Sequence, residues 1–267
     1  MAPAVTTLAS HYNCPITLLH AFELPVAFYG DLGPLDMVIP SDSARAHESQ
    51  LRQFAAEVMP GVPHEQIVVQ GEPSEAIREY VQRNGADLVM MPTSGRGPLR
   101  RLLLGSVVAK VLHDVSCPVW TGAHELEAEG QTHWPIKSIL CAVSLEEESV
   151  AVAKAAAALA ASFGASLTLY HASAFPKPVI DIDYEHYRKQ MMDDATQKLQ
   201  SLRWDNQIEA SVTMVEGSAV QSIRSQAIAA KADLVVVGRG HSQGMVSRLW
   251  SDLYDVIREA PCPVLSI

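Results

Sequence analysis

Residues 92–106 read Pro92-Thr-Ser-Gly95-Arg-Gly-Pro-Leu-Arg-Arg-Leu-Leu-Leu-Gly105-Ser106: a glycine, nine residues, then a Gly-Ser pair. Glycine lets a backbone approach an anion closely, and the free N–H groups and positive dipole end of a helix favour negative charge. The apolar run Asp87-Leu-Val-Met-Met91 before this loop predicts a buried parallel strand, and Gly105-Ser106 opens a helical pattern over Val107 to His113. Phosphate is the chemistry that fits, and Arg96, Arg100 and Arg101 add local positive charge. The same residues also fit a glycine-containing turn with a solvated basic helix entry.

Other reactive side chains fit blander readings. His20 and His171 end equivalent strand-like runs, as packing residues or as an acid or base. His241, Ser242 and Asp252 supply the residue types of a hydrolytic triad, but no G-x-S-x-G elbow surrounds a serine. Glu146-Glu-Glu148 reads as a solvated first helical turn opposing the macrodipole. The remaining histidines lack ligand spacing, so no metal site is expected. Cys14, Cys117, Cys141 and Cys262 form no C-x-x-C pair and read as small core residues.

The elements that must position the loop occur twice. Ile16-Thr-Leu-Leu-His20 returns as Leu167-Thr-Leu-Tyr-His171, Gly85-Ala-Asp-Leu-Val-Met-Met91 as Lys231-Ala-Asp-Leu-Val-Val-Val237, and Cys117-Pro-Val119 as Cys262-Pro-Val264. The offsets are 151, 146 and 145 residues, in the same order, so the chain is a tandem duplication. Thr121 to Pro135, rich in Glu, His and Gly, reads as a linker, which sets domains at 1–127 and 128–267. The second copy predicts strands over Lys137 to Val143, Ser166 to Ala172, Gln207 to Val215, Asp233 to Gly238 and Pro263 to Ile267. Helices are predicted over Glu146 to Phe163, Tyr184 to Leu202, Ala219 to Ala230 and Ser247 to Glu259. Alternation of short Val, Ile and Leu runs with helices implies an α/β fold with parallel strands and right-handed crossovers. Ligands of such sheets bind beyond the carboxyl ends of the strands, where Pro92 to Ser106 lies.

In 267 residues no apolar run is long enough to span a membrane, and the start lacks a signal-peptide pattern, which points to the cytoplasm. Thirty acidic against 20 basic side chains, a formal net charge of −10, argue against nonspecific nucleic-acid or membrane binding.

With A-D-L-V-M-M, G-R-G-P-L-R-R-L-L-L-G-S, S-C-P-V and their weaker second copies, the chain resembles the universal stress protein family in its tandem form. The resemblance implies two doubly wound, Rossmann-like parallel sheets of order 3-2-1-4-5. It also implies an adenine nucleotide, ATP or AMP, as a regulatory ligand of the first copy, with magnesium only as its counter-ion and slow or no hydrolysis. Carried over residue by residue, Gly95, Gly105, Ser106 and Val107 contact the phosphates, and Arg96 is the candidate that the local positive charge adds beside them. Met91 and Pro92 flank the nucleotide, and adenine lies near Ala21. Pro92 departs from the family pattern, which has glycine there; proline has no N–H to donate and a fixed φ.

A second departure is the family's central first strand, which ends in an acidic residue. The first copy shows no counterpart to Lys137 to Val143, since Met1 aligns near Val150. The resulting edges would leave backbone groups unpaired at roughly 1 to 3 kcal/mol each if buried. An upstream segment is the favoured answer; direct pairing of the second and fourth strands and a strand from a partner chain are the alternatives. In the second copy, Gly238 keeps one landmark. His241 replaces the next; either Ser251-Asp252 takes the Gly-Ser position and puts a carboxylate at a helix entry, or a one-residue gap aligns Ser251 with Ser106 and removes the glycine, so that copy is expected to be structural. The alternative function is a nucleotide-free interaction module, its two copies packed as an internal pseudo-dimer, with a further homodimer open. An adenylyl transferase is a distant third, for want of H-x-G-H or K-M-S-K-S.

Overall fold

The computed structural model describes residues 1–23, 41–93, 104–122, 133–174, 183–240 and 246–267. The chain divides into two compact units, the first built mainly from residues 1–87 and the second mainly from residues 88–112 and 135–267.

The first unit carries α1 (Ala2–Tyr12), β1 (Thr17–Phe22), α2 (Ser41–Val58), β2 (Glu65–Gln70) and α3 (Pro73–Asn84). Its sheet is the parallel pair β1–β2, in register from Thr17↔Glu65 to Phe22↔Gln70. Leu8 of α1, Phe22 of β1, Leu51 and Ala55 of α2 and Val81 of α3 are buried. Helix α1 ends on Asn13 in the left-handed region (φ 49°), a residue whose short polar side chain tolerates that conformation.

The second unit carries β3 (Val89–Pro92), α4 (Ser106–Asp114), β4 (Val119–Gly122), β5 (Ser138–Ala142), α5 (Ser149–Phe163) and β6 (Ser166–Ser173). It continues through α6 (Tyr184–Asp205), β7 (Ser211–Glu216), α7 (Ala219–Ala229), β8 (Leu234–Val237), α8 (Val246–Glu259) and β9 (Val264–Ser266). Seven strands form one sheet in the order β3-β4-β9-β8-β5-β6-β7. Within the second copy that order is 5-4-1-2-3, a doubly wound parallel arrangement with β5 at its centre. Ile139, Leu140 and Cys141 of β5 are at most 1% exposed, as a strand covered on both faces requires.

The duplication is visible in the backbone. Residues Asn13 and Gly164, 151 apart, both cap a helix in the left-handed region. Gly71 donates its N–H to the Phe22 carbonyl at the end of β1, and Gly217 donates to Ser173 at the end of β6, at 2.9 and 3.0 Å. Both have φ near 149°, a conformation that side chains disfavour. Among the described residues β1 pairs with β2 alone and β3 with β4 alone, so the direct pairing of β1 with β3 left open by the sequence does not occur there.

One join is antiparallel. Strands β4 and β9 pair Val119↔Ser266, Trp120↔Leu265 and Thr121↔Val264. In repeat terms these are equivalent residues exchanged, with Trp120 facing its own counterpart. The side chains repeat the exchange: Thr121 Oγ1 donates to the Val264 carbonyl at 3.1 Å and Ser266 Oγ to the Val119 carbonyl at 3.2 Å, all buried.

Several local expectations are corrected. Residues 207–210 do not extend β7, because α6 runs on to Asp205 and Gln207 turns the chain at φ 54°. Glu146 and Glu147 precede α5, whose N-cap is Glu148, so the acidic triplet lies at the approach to the helix rather than in its first turn. Cys14 is exposed beside the α1 cap, whereas the other three cysteines are buried. Burial pushes the Cys141 and Cys262 thiols up to about 12.

Candidate functional site

The carboxyl end of β3 and the start of α4 are tied together by a hydrogen bond: the Gly105 N–H donates to the Thr93 carbonyl at 3.0 Å. Met91 is half-buried, Pro92 is exposed at the last position of β3, and Thr93 is buried. Ser106 is exposed and is the first residue of α4, with Val107 half-buried after it. The Gly105 N–H is therefore already engaged, and the first-turn N–H groups that begin with Ser106 and Val107 are the ones that have no carbonyl a turn earlier in the helix. Ala21 lies in β1, in the first unit. Gly95 and Arg96, with Arg100 and Arg101, lie outside the described residues.

Helix α4 is fixed from its apolar face and from its far end. Val108, Val111 and Leu112 are buried. Arg239, 5% exposed, donates through Nη1 to the Leu112 carbonyl at 3.1 Å and through Nη2 to the Cys117 carbonyl at 2.8 Å. A guanidinium at the C-terminal carbonyls complements the negative end of the helix dipole, opposite the end suited to an anion. Tyr254 Oη donates to the Ala109 carbonyl at 3.3 Å. The sequence reading missed both side chains. Their signal is three-dimensional, since each reaches a backbone carbonyl more than a hundred residues away.

The second copy has a cavity of about 290 Å³ at the carboxyl ends of β5, β6 and β8, lined by Ser144, Glu146, His171, Gly238 and Asp252 among others. Its carboxylates disfavour phosphate. Asp252 does not sit at a helix entry as expected: α8 begins at Val246, which places Ser251 and Asp252 in its second turn. A Cβ on Gly238 would lie 3.0 Å from Val152 Cγ2, so close packing alone accounts for that glycine. His241 and Ser242 lie outside the described residues.

The two repeated histidines have different partners. His171 Nδ1 donates to the Val143 carbonyl at the end of β5, at 2.7 Å, and burial lowers its pKa despite that bond. His20 Nε2 instead meets His47 Nδ1 of α2 at 3.0 Å, and the His47 ring stacks on Phe22 with centroids 4.2 Å apart. Burial and the neighbouring imidazole lower the His20 pKa. Among the described residues no three His, Cys, Asp or Glu side chains converge as a metal site, and no helix is long and apolar enough to cross a membrane.

These features define a tandem α/β protein with parallel sheets and a strand-loop-helix junction at a strand's carboxyl end. The universal stress protein family model matches residues 3–121 and 135–267, and the chain belongs to this family, with two such domains in tandem. A Thermus aquaticus universal stress protein is 32% identical over 112 residues, 42% of this chain and 79% of that protein. A universal stress protein from Archaeoglobus fulgidus has a similar fold, with a TM-score of 0.62 at 20% identity over 94% of this chain and 85% of the other. A protein of unknown function from Pseudomonas aeruginosa aligns at a TM-score of 0.66 and 16% identity, over 97% of this chain and 84% of its own.

Proposed function

We propose that the first copy binds an adenine nucleotide, ATP or AMP, as a regulatory ligand of a stress-response protein. The observation that carries this reading is the Thr93–Gly105 hydrogen bond, which holds the start of α4 at the end of β3. Ser106 and Val107 then offer N–H groups and the positive dipole end to phosphate. Gly105 contributes the lack of a side chain, and Met91 and Pro92 flank the ligand. Arg96 is assigned to the phosphates by sequence pattern, and Ala21 to the adenine by resemblance. No hydrolytic role is assigned, and a magnesium ion accompanies the nucleotide only as counter-ion. The reciprocal β4–β9 pairing supports an internal pseudo-dimer of the two copies.

The second reading, a nucleotide-free interaction module, is favoured by Pro92 and by the first copy's strands. Among the described residues β1 has β2 on one side and no counterpart of β5 on the other.

Isothermal titration with ATP and with AMP separates the two. Gly105→Asp adds a carboxylate at the entry of α4, where the helix dipole would otherwise favour phosphate. Saturable heat in the parent protein, weakened about tenfold or more by Gly105→Asp, is the expected result. No saturable heat in the parent protein overturns nucleotide binding.

A further inference from the structure

We propose that the cavity of the second copy binds an organic cation, a primary ammonium group carried on an apolar body of about two fused rings. Every residue involved belongs to the second copy, so this site is independent of the nucleotide reading of the first. The cavity measures about 290 Å³ and lies at the carboxyl ends of β5, β6 and β8. Its inner wall is apolar: Val152 of α5, Ile223 of α7, Val237 of β8 and Leu253 and Val256 of α8 are all buried. A cavity of roughly 150 Å³ with walls of this kind holds one benzene ring, so the space here suits a body about twice that size.

Negative charge is confined to the rim. Glu146 and Glu148, on the approach to α5, and Asp252 of α8 line the cavity and are exposed, so carboxylates from two segments stand around its solvent side. Arg239 also lines the cavity, but its Nη1 and Nη2 atoms donate to the Leu112 and Cys117 carbonyls, which directs its charge elsewhere. Lys198 of α6 feels the Glu146 charge and is itself paired with Asp194 at 2.8 Å. An anionic ligand would meet like charge at this rim, and a neutral one would leave the carboxylates unused. An apolar body with a cationic end matches both the wall and the rim.

The repeat shows where the sign of the site changes. Asp252 is the counterpart of Val107, 145 residues earlier. The Val107 N–H lies in the first turn of α4, whereas that of Asp252 lies in the second turn of α8, where the helix itself takes it. A carboxylate thus stands where the first copy offers a backbone donor. His171 lines the same cavity and donates through Nδ1 to the Val143 carbonyl, which leaves Nε2 as the acceptor of the neutral ring. Burial lowers its pKa, so the ring is neutral at pH 7 and adds no positive charge to the cavity.

The test is equilibrium dialysis of the full chain at pH 7 against probes that share one indole body: cationic tryptamine, neutral tryptophol and anionic indole-3-propionate. Tryptamine is expected to bind saturably and about tenfold more tightly than tryptophol, with indole-3-propionate weaker still. Asp252→Asn, nearly isosteric and at an exposed position, is expected to weaken tryptamine about threefold and to leave tryptophol within about twofold. Ala219→Phe, which fills the cavity from the first residue of α7, is expected to weaken both probes. Asp252→Asn carries the test by itself if Ala219→Phe does not fold. No saturable tryptamine binding, tryptophol binding as tightly as tryptamine, or a Glu146→Gln, Asp252→Asn double variant with the parent's tryptamine affinity overturns the assignment.

Discussion

A histidine held neutral by its surroundings makes stability depend on pH in one direction. The pKa of His171 is lowered from the usual 6.5 mainly by burial, with its bond to the Val143 carbonyl opposing the shift in part. Between the lowered folded value and 6.5 the unfolded chain binds more protons than the folded one. This contribution to stability is therefore complete above 6.5 and is lost as pH falls through the folded value. His171→Asn keeps a donor for Val143 without a titrating ring, so its urea midpoint is expected to fall less than that of the parent protein on acidification from pH 7 to 5. Parallel curves for the two proteins would contradict the reading. The repetition of His20 and His171 was legible in the sequence, but their different partners were not. His47 lies on α2, and no local pattern pairs it with β1.

At the level of elements, the second copy was legible because its strands are short apolar runs and its helices carry separate periodicity; β8, Leu234–Val237, and β9, Val264–Ser266, are buried throughout. The misplaced ends were decided by backbone conformation, as at Gln207, which composition does not encode. The candidate site was legible as spacing, from Gly105-Ser106 after the β3 run, while its support was not. Arg239 lies 127 residues from Leu112 and 122 from Cys117, the two carbonyls it holds. Removing that guanidinium leaves both acceptors buried, so Arg239→Met is expected to cost about 2–4 kcal/mol of stability in urea unfolding. Arg239→Lys should recover only part of this, since an ammonium does not reproduce the two-pronged geometry. A cost below about 0.5 kcal/mol for Arg239→Met would show that α4 does not depend on this contact.

At the scale of the whole molecule, sequence repeats and structural units do not coincide. Strands β3 and β4 come from the first repeat but complete a sheet whose other members come from the second. Cooperative opening follows packed structure rather than sequence ancestry, and an isolated pair of strands is a weak unit. Hydrogen exchange followed by mass spectrometry is expected to protect β3–β4 amides together with those of β8–β9, with β1–β2 amides exchanging earlier. Exchange of β4 in step with β1 would contradict this.

The Trp120↔Leu265 pair at the β4–β9 join has a consequence for sequence change. Where two identical chains meet on a two-fold axis, the axial residue faces a copy of itself, and any substitution alters both sides at once. Here one gene encodes both sides, so a large indole and a smaller aliphatic group can share the space that identical partners would have to divide evenly. Covalent fusion has thus freed the two halves of the join to vary in opposite directions, and compensating changes there should be sought as unlike pairs whose combined volume is kept.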